Sequence, residues 1–245
     1  MTATIAHRRV EKSLLRRESL GPAQEREMFE LFSQYYDHVD WQSFRRDLAE
    51  KTHVFVFREA GSRRLIGFST IYRRALPDIT PGLFLFSGDT VIHEDYWGNK
   101  MLQKSFFWFI VSSKLRSPLR PVYWMLMSKG VKTYLMMRKN FGVSYPREGA
   151  TAPPRLAMAL HGFYRQKFGA DYDPAASLIR FPEKRGEVKQ GLVTPEAIAH
   201  AGPDAAYFAR VNPGHVDGDE LACIAEIRFA DFGAHLLKYF LPHRG

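Results

Sequence analysis

The chain has a single cysteine, Cys223, among 245 residues, which excludes an internal disulfide and any cysteine-rich metal site and fits a reducing compartment. Its longest apolar run, Phe106 to Val111, is too short to cross a bilayer, and the N-terminal MTATIAHRRVEKSLLRRES lacks the apolar centre of a secretory signal. These absences lead us to expect a soluble cytoplasmic protein. No histidine or cysteine pair has metal-ligand spacing, so no metal is expected, and neither a serine-nucleophile elbow nor a phosphate-binding Walker loop occurs. Internal repeats and low-complexity linkers are missing as well. Most informative is an absence of one sign of charge. From Tyr96 to Arg147 there is no Asp or Glu, while ten cations occur: Lys100, Lys104, Lys114, Arg116, Arg120, Lys129, Lys132, Arg138, Lys139 and Arg147.

Those ten exceed the net charge of the whole chain, +9, so the remainder is nearly neutral. The window is interleaved with Phe106, Phe107, Trp108, Phe109, Tyr123 and Trp124, so it folds rather than forming a basic tail. It is either a solvated face or the footprint of an acidic partner. Five of the eight methionines, Met101, Met125, Met127, Met136 and Met137, fall in the same window, as ordinary core or as the adaptable lining of an acyl tunnel.

Hydrophobic content of 45% and charged content of 25% are those of a globular chain long enough for a sizeable core. Periodicity predicts a strand over Ser13–Leu20, a helix opened by Pro22 and running to Tyr36, and a second helix capped by Asp40. A hairpin follows, His53–Phe57 and Leu65–Tyr72 about Gly61 and Ser62. Then come a strand over Leu83–His93, an apolar helix over Asn99–Ser112, a buried strand over Pro121–Met127 and a helix from Ser128 to Asn140. Beyond a soft boundary near Glu148, helices start at Pro153-Pro154 and at Thr194-Pro195-Glu196. Strands are expected at Ser177–Phe181 and Glu220–Phe229, and an amphipathic segment runs through Tyr239. The fold class is α/β, a mixed central sheet flanked by helices with an extended C-terminal region.

The segment SGDTVIHEDYWGNKMLQKSFFWFIV, Ser87 to Val111, runs from strand through turn to helix. A helix N-terminus offers unpaired N–H groups and the positive end of the helix dipole to an anion, and Gly98 would admit a close backbone approach. Asp89 and His93 alternate onto one strand face, with Glu94 at the strand end. Asp89 is a candidate general base or, equally, a turn residue. Asn212-Pro213-Gly214-His215 with Asp217, Asp219 and Glu220 reads as a turn cluster before a strand; its acids could alternatively hold a cationic amine.

The element order and the stretch Val91-Ile92-His93-Glu94-Asp95-Tyr96-Trp97-Gly98 resemble the GNAT superfamily of N-acyltransferases over Leu14 to Tyr145. Lys129 to Phe141 is similar to the end of that family's fourth helix. The resemblance implies residues 1–150 as an acyl-donor core and 151–245 as an extension packed on it and completing the acceptor site. It implies a thioester co-substrate, a carbonyl-polarising N–H at a strand bulge near Val91, and donor contacts from Val91, Trp97, Gly98, Asn99, Lys100 and Met101. Catalytic candidates on this basis are Asp89, His93, Glu94 and Tyr134. The tyrosine acid of the family falls on Met136 here, with Tyr134 two residues earlier. The family loop expects arginine at Trp97 and glycines at Lys100 and Leu102. Bulky residues there crowd a coenzyme A pyrophosphate, whereas a carrier-protein phosphopantetheine has one phosphate. The resemblance thus implies transfer of a medium- or long-chain fatty acyl group from an acidic acyl carrier protein, or from coenzyme A, to an amine of an amino acid or peptide. That is a lipidation or peptide modification, as in N-acyl amino acid synthases and peptide-lipidating maturases. The alternatives are acetyl-coenzyme A-dependent acetylation of a small amine and a non-catalytic basic module on nucleic acid.

Overall fold

A computed structural model describes residues 9–37, 39–181 and 202–233. The expected helix at Thr194 and the segment through Tyr239 lie outside these. The protein is mixed α/β, with mostly antiparallel sheet flanked by helices, and its described residues fall into two compact units. One takes in residues up to 73 and 86–106, the other 74–85, 107–181 and 202–233.

In the first unit, β1 (Val10–Arg16) pairs antiparallel with β2 (His53–Glu59), from Val10 opposite Glu59 to Arg16 opposite His53. β2 pairs antiparallel with β3 (Leu65–Ala75), and β4 (Leu83–Ile92) follows in the sheet order. Alternation along β2 sends Val54 and Val56 to one face, where they pack with Met28, Leu31 and Phe32 of α1 (Pro22–Tyr35) and Phe44 and Leu48 of α2 (Trp41–Glu50). Pro22 opens α1 at its first position, and the Asp40 carboxylate accepts the Ser43 N–H at the start of α2. Phe55 turns to the other face and meets Phe106 of α3 (Met101–Leu115), ring centroids 6.5 Å apart.

The second unit is built around its last strand. β5 (Val122–Ser128) pairs antiparallel with β9 (Glu220–Glu226), whose Ala222 to Ala225 are fully buried. Small and branched residues in an unbroken apolar run suit a strand covered on both faces. β9 also pairs with β6 (Ser144–Tyr145) and β8 (Leu178–Ile179), and β8 with β7 (Tyr172–Asp173). In α5 (Pro154–Phe168), Phe163 stacks on Phe84 at 5.9 Å and the Tyr164 hydroxyl donates to the Cys223 carbonyl. α6 (Pro203–Val211) lies on α4 (Val131–Asn140) through Tyr134 against Phe208 and Arg138 bound to Asp204. α6 and the two-residue strands β6 and β7 are absent from the sequence-based expectation, and the strand expected at Ser177–Phe181 is two residues long. Elements this short carry no periodicity to read.

At the head of β9, burial pushes the Glu220 carboxyl from 4.5 up to about 7, with Lys129 opposing the shift. A carboxyl whose native pKa is raised binds its proton more tightly folded than unfolded. Stability therefore falls as pH rises from 4.5 to about 7 and is level above. Glu220→Gln should remove that fall. In thermal melts the variant should gain on the wild type between about pH 4 and about pH 8; a difference constant with pH would place the Glu220 carboxyl in water.

Candidate active site

The site begins with an irregularity in β4. His93 N–H donates to the Ile66 carbonyl at 2.8 Å, the hydroxyls of Ser69 and Thr90 meet at 2.7 Å, and Thr70 Oγ1 donates to the Asp89 carbonyl at 3.5 Å. Contacts running in opposite senses make β3 and β4 antiparallel, with Asp89 opposite Thr70. One residue further, Gly88 should face Ile71. A Cβ on Gly88 would instead fall 2.5 Å from Thr70 Oγ1 and 2.6 Å from Lys51 Cε. Gly88 and Asp89 therefore both lie against Thr70. That two-against-one arrangement is a β-bulge, which leaves an extra backbone residue unpaired and turns the side chain beside it. The resemblance implied a bulge near Val91; it sits two to three residues earlier, and Val91 is back in register within the core beside Phe68.

Glycine is required at position 88 because Lys51 occupies the space. Lys51 follows α2, its side chain is 1% exposed, it ion-pairs with Asp47 one turn before it, and its ammonium lies 5.8 Å from the Phe86 ring centre. The bulge thus places the half-buried Asp89 on the strand face that carries this buried ammonium. Sequence reasoning missed Lys51. The Asp47-to-Lys51 spacing was visible, but its burial depends on the missing side chain of Gly88. An isolated glycine inside a strand pattern was the available signal.

After β4 the chain makes a 3₁₀ turn, Glu94–Tyr96, before α3 starts at Met101. The structure gives His93 a capping contact in this turn. Its Nδ1 accepts the Asp95 N–H at 3.3 Å, and Arg64 Nη1 lies 3.5 Å from its Nε2. Glu94 is exposed, and its N–H donates to the Tyr35 hydroxyl. The Tyr96 hydroxyl donates to Glu59, and Trp97 folds back so that its indole N–H donates to the Ile92 carbonyl while its ring leans on Tyr35 at 6.3 Å. Three loop N–H groups are used internally: Trp97 to Glu94, Asn99 to Tyr96, and Met101 to the Asn99 side chain. Gly98 adopts φ +84°, where an L side chain is strained, yet a Cβ there would meet open space. Its glycine serves the turn, not a close approach. Lys100 is exposed and its carbonyl starts α3 by accepting the Lys104 N–H; Met101 is buried. What remains for an anion is the first turn of α3, with Lys100 beside it.

Tyr134 belongs to the second unit. Its hydroxyl donates to the Pro146 carbonyl at 3.0 Å, and burial, reinforced by Cys223, pushes its phenol well above the ordinary value. Such a phenol holds its proton tightly. Of the methionines, Met101, Met125 and Met137 are core. The cluster around His215 is a turn: Asn212 Nδ2 donates to the Asp219 carbonyl, and Pro213–Val216 forms a 3₁₀ turn before β9. An open depression of about 460 Å³ in the second unit is lined by Asp78, Ile79, Met158, His161, Gly162 and Arg165 among others. Burial and, secondarily, Arg165 lower the His161 pKa from its ordinary value.

No protein-family model matches the sequence, and no curated protein matches it. Among solved structures, the chain is similar to a Trypanosoma brucei acetyltransferase, at 16% identity and TM-score 0.41, over 59% of this chain and 100% of that one. It is similar to glucosamine-6-phosphate N-acetyltransferase from Arabidopsis thaliana, at 15% identity and TM-score 0.39, over 59% and 99%. A third is a GNAT family N-acetyltransferase from Escherichia coli in complex with CoA, at 12% identity and TM-score 0.39, over 56% and 70%.

The bulge makes a steric prediction. Gly88→Ala must displace Thr70 or the Lys51 side chain from a packed interior and should cost about 1–3 kcal/mol, read as a lowered denaturation midpoint. An unchanged midpoint would mean that β4 runs regularly through residue 88.

Proposed function

We propose that the protein is a GNAT-like N-acyltransferase that moves a medium- or long-chain fatty acyl group from a thioester on an acidic acyl carrier protein to an amine of an amino acid or peptide. The observation that carries this reading is the bulge at Gly88 and Asp89, with α3 starting at Met101 after the end of β4 and the 3₁₀ turn Glu94–Tyr96. Amine acylation needs little else. A backbone N–H polarises the thioester carbonyl and the incoming ammonium gives up its proton. The amine nitrogen then adds to the carbonyl carbon, and the tetrahedral intermediate collapses as the carbon–sulfur bond breaks and the nitrogen sheds its second proton to solvent. The sulfur leaves as thiolate, which is stable because a thiol pKa lies near ~8.5.

In this reading the bulge supplies the N–H and Asp89 takes the ammonium proton. Lys51 holds positive charge on the same strand face, where the tetrahedral intermediate would be negative. The filled loop favours a donor with one phosphate: Trp97 lies across the strand end, and three N–H groups are already bonded. Lys100 is left to meet that phosphate. Carrier recognition is assigned to cations that make no ion pair among the described residues. Arg138 is bound to Asp204, Lys114 is buried, Arg147 lies over the Tyr145 ring and Lys129 neighbours Glu220. Lys132 and Lys139 are exposed, seven residues apart on α4 and so on one face.

Asp89→Asn should lower acyl transfer by roughly 10²-fold, the size of a positioned base, and flatten the acidic limb of the pH profile with the melting temperature unchanged. Wild-type rates with an unchanged profile would remove Asp89 from the mechanism. Reversing Lys132 and Lys139 to Glu should slow transfer from a carrier-bound donor, as added salt should for the wild type, because exposed charges are screened beyond ~8 Å at physiological ionic strength. A short acyl-pantetheine donor should react equally with both forms. Unchanged carrier-dependent rates at low salt would reduce the basic window to a solvated face.

A further inference from the structure

Besides Met158 and Val216, the described residues of the second unit expose four large apolar side chains on α3, the loop after it and the segment after β9. Leu119, 97% exposed, tips the loop after α3; Leu115, 60% exposed, lies one turn back; and Trp108, 55% exposed, is two turns before Leu115 on the same helix face. Phe229, 48% exposed, joins them through a chain of rings: it meets Phe232 at 6.0 Å, Phe232 meets Phe107 at 6.3 Å, and Phe107 meets Trp108 at 5.7 Å. The loop that carries Leu119 is held in shape from beneath. The buried Lys114 ammonium donates to the carbonyls of Pro118 and Arg120, at 3.2 and 2.9 Å, and lies 5.2 Å from the Phe229 ring centre. Ser117 N–H donates to the Lys114 carbonyl and Arg120 N–H to that of Ser117.

Arg116 and Arg120, both exposed, flank the apolar tip. The acids of the neighbouring segment are engaged: Glu226 pairs with Arg228, and Asp231 accepts N–H groups of Gly142 and Arg228. A tryptophan, leucines and a phenylalanine set among arginines match the interfacial zone of an anionic bilayer, where aromatic rings sit at headgroup level and arginines meet phosphates. A leucine standing almost wholly clear of its surroundings would need a matching pocket on a folded partner, whereas a bilayer conforms to it.

We infer that the face formed by Trp108, Leu115, Leu119 and Phe229, with Arg116 and Arg120, docks on anionic phospholipid membranes. Among the described residues no helix is long and apolar enough to cross a membrane, so the contact lies in the interface. The inference stands apart from acyl transfer, since docking needs neither donor nor acceptor.

The test is sedimentation of the full chain with vesicles of phosphatidylcholine mixed with phosphatidylglycerol, and with phosphatidylcholine alone. Binding should be confined to the anionic vesicles and weaken with salt. Leu119→Ser should lower the partition coefficient about tenfold, from lost apolar burial. Arg116→Gln and Arg120→Gln should each lower it about fivefold. All three positions are exposed, so melting temperatures should stay at the wild-type value. Absence of wild-type binding to anionic vesicles, or equal binding by all variants, would overturn the inference. So would an effect of these substitutions confined to carrier-dependent transfer or to self-association, which would assign the face to a protein.

Discussion

One missing side chain organises the first unit. Because residue 88 is glycine, the Lys51 ammonium and the Thr70 hydroxyl can occupy the space a Cβ would claim, and β4 accommodates one residue more than β3 offers it. The consequences run in both directions. Towards α2, the chain can bury the Lys51 side chain while it pairs with the partly exposed Asp47 one turn back. Towards α3, every residue from Asp89 onward is displaced by one position, which sets Asp89 on the lysine's face and returns Val91 to the core. Burying a lysine ammonium whose partner carboxylate is itself partly exposed is costly to desolvate and contributes little net stability.

The loop between β4 and α3 follows a different logic. Its side chains and N–H groups are spent on the chain itself, through the cap at His93, the indole bond to Ile92 and the Asn99 contact to Met101. A loop that satisfies its own donors is rigid without a ligand, but it has fewer of them to offer. In the proposed reading the exposed cations compensate in a less specific way, attracting an anionic carrier over a distance while fixing no geometry.

Much of this was legible in the sequence. Proline at the first position of α1, aspartate before α2 and the alternation of the β2–β3 hairpin are local signals, and each element lies where its signal placed it. The bulge was not legible in position, because it is defined by what stands opposite, Thr70 and Lys51, and not by neighbours along the chain. Only Gly88 marked it. Lys114 was read as a charge, yet it is buried, its ammonium bonded to the carbonyls of Pro118 and Arg120. The split of the basic window into structural and spare cations likewise depends on Asp204, Glu220 and the Tyr145 ring, two of them far along the chain. α6 escaped because nine residues hold too few turns for a clear period.

We propose a transferase, built on a bulged strand and a self-filled loop, that prefers carrier-bound fatty acyl thioesters. Intact-mass detection of amine acylation tests it directly, with matched acetyl and fatty-acyl donors, each on coenzyme A and on an acyl carrier protein, against a panel of amino acids and peptides. The expected outcome is a product heavier by one fatty acyl group in place of a hydrogen, formed fastest from the carrier. Equal or faster transfer from acetyl-coenzyme A, or no acylated product from any donor, would contradict it.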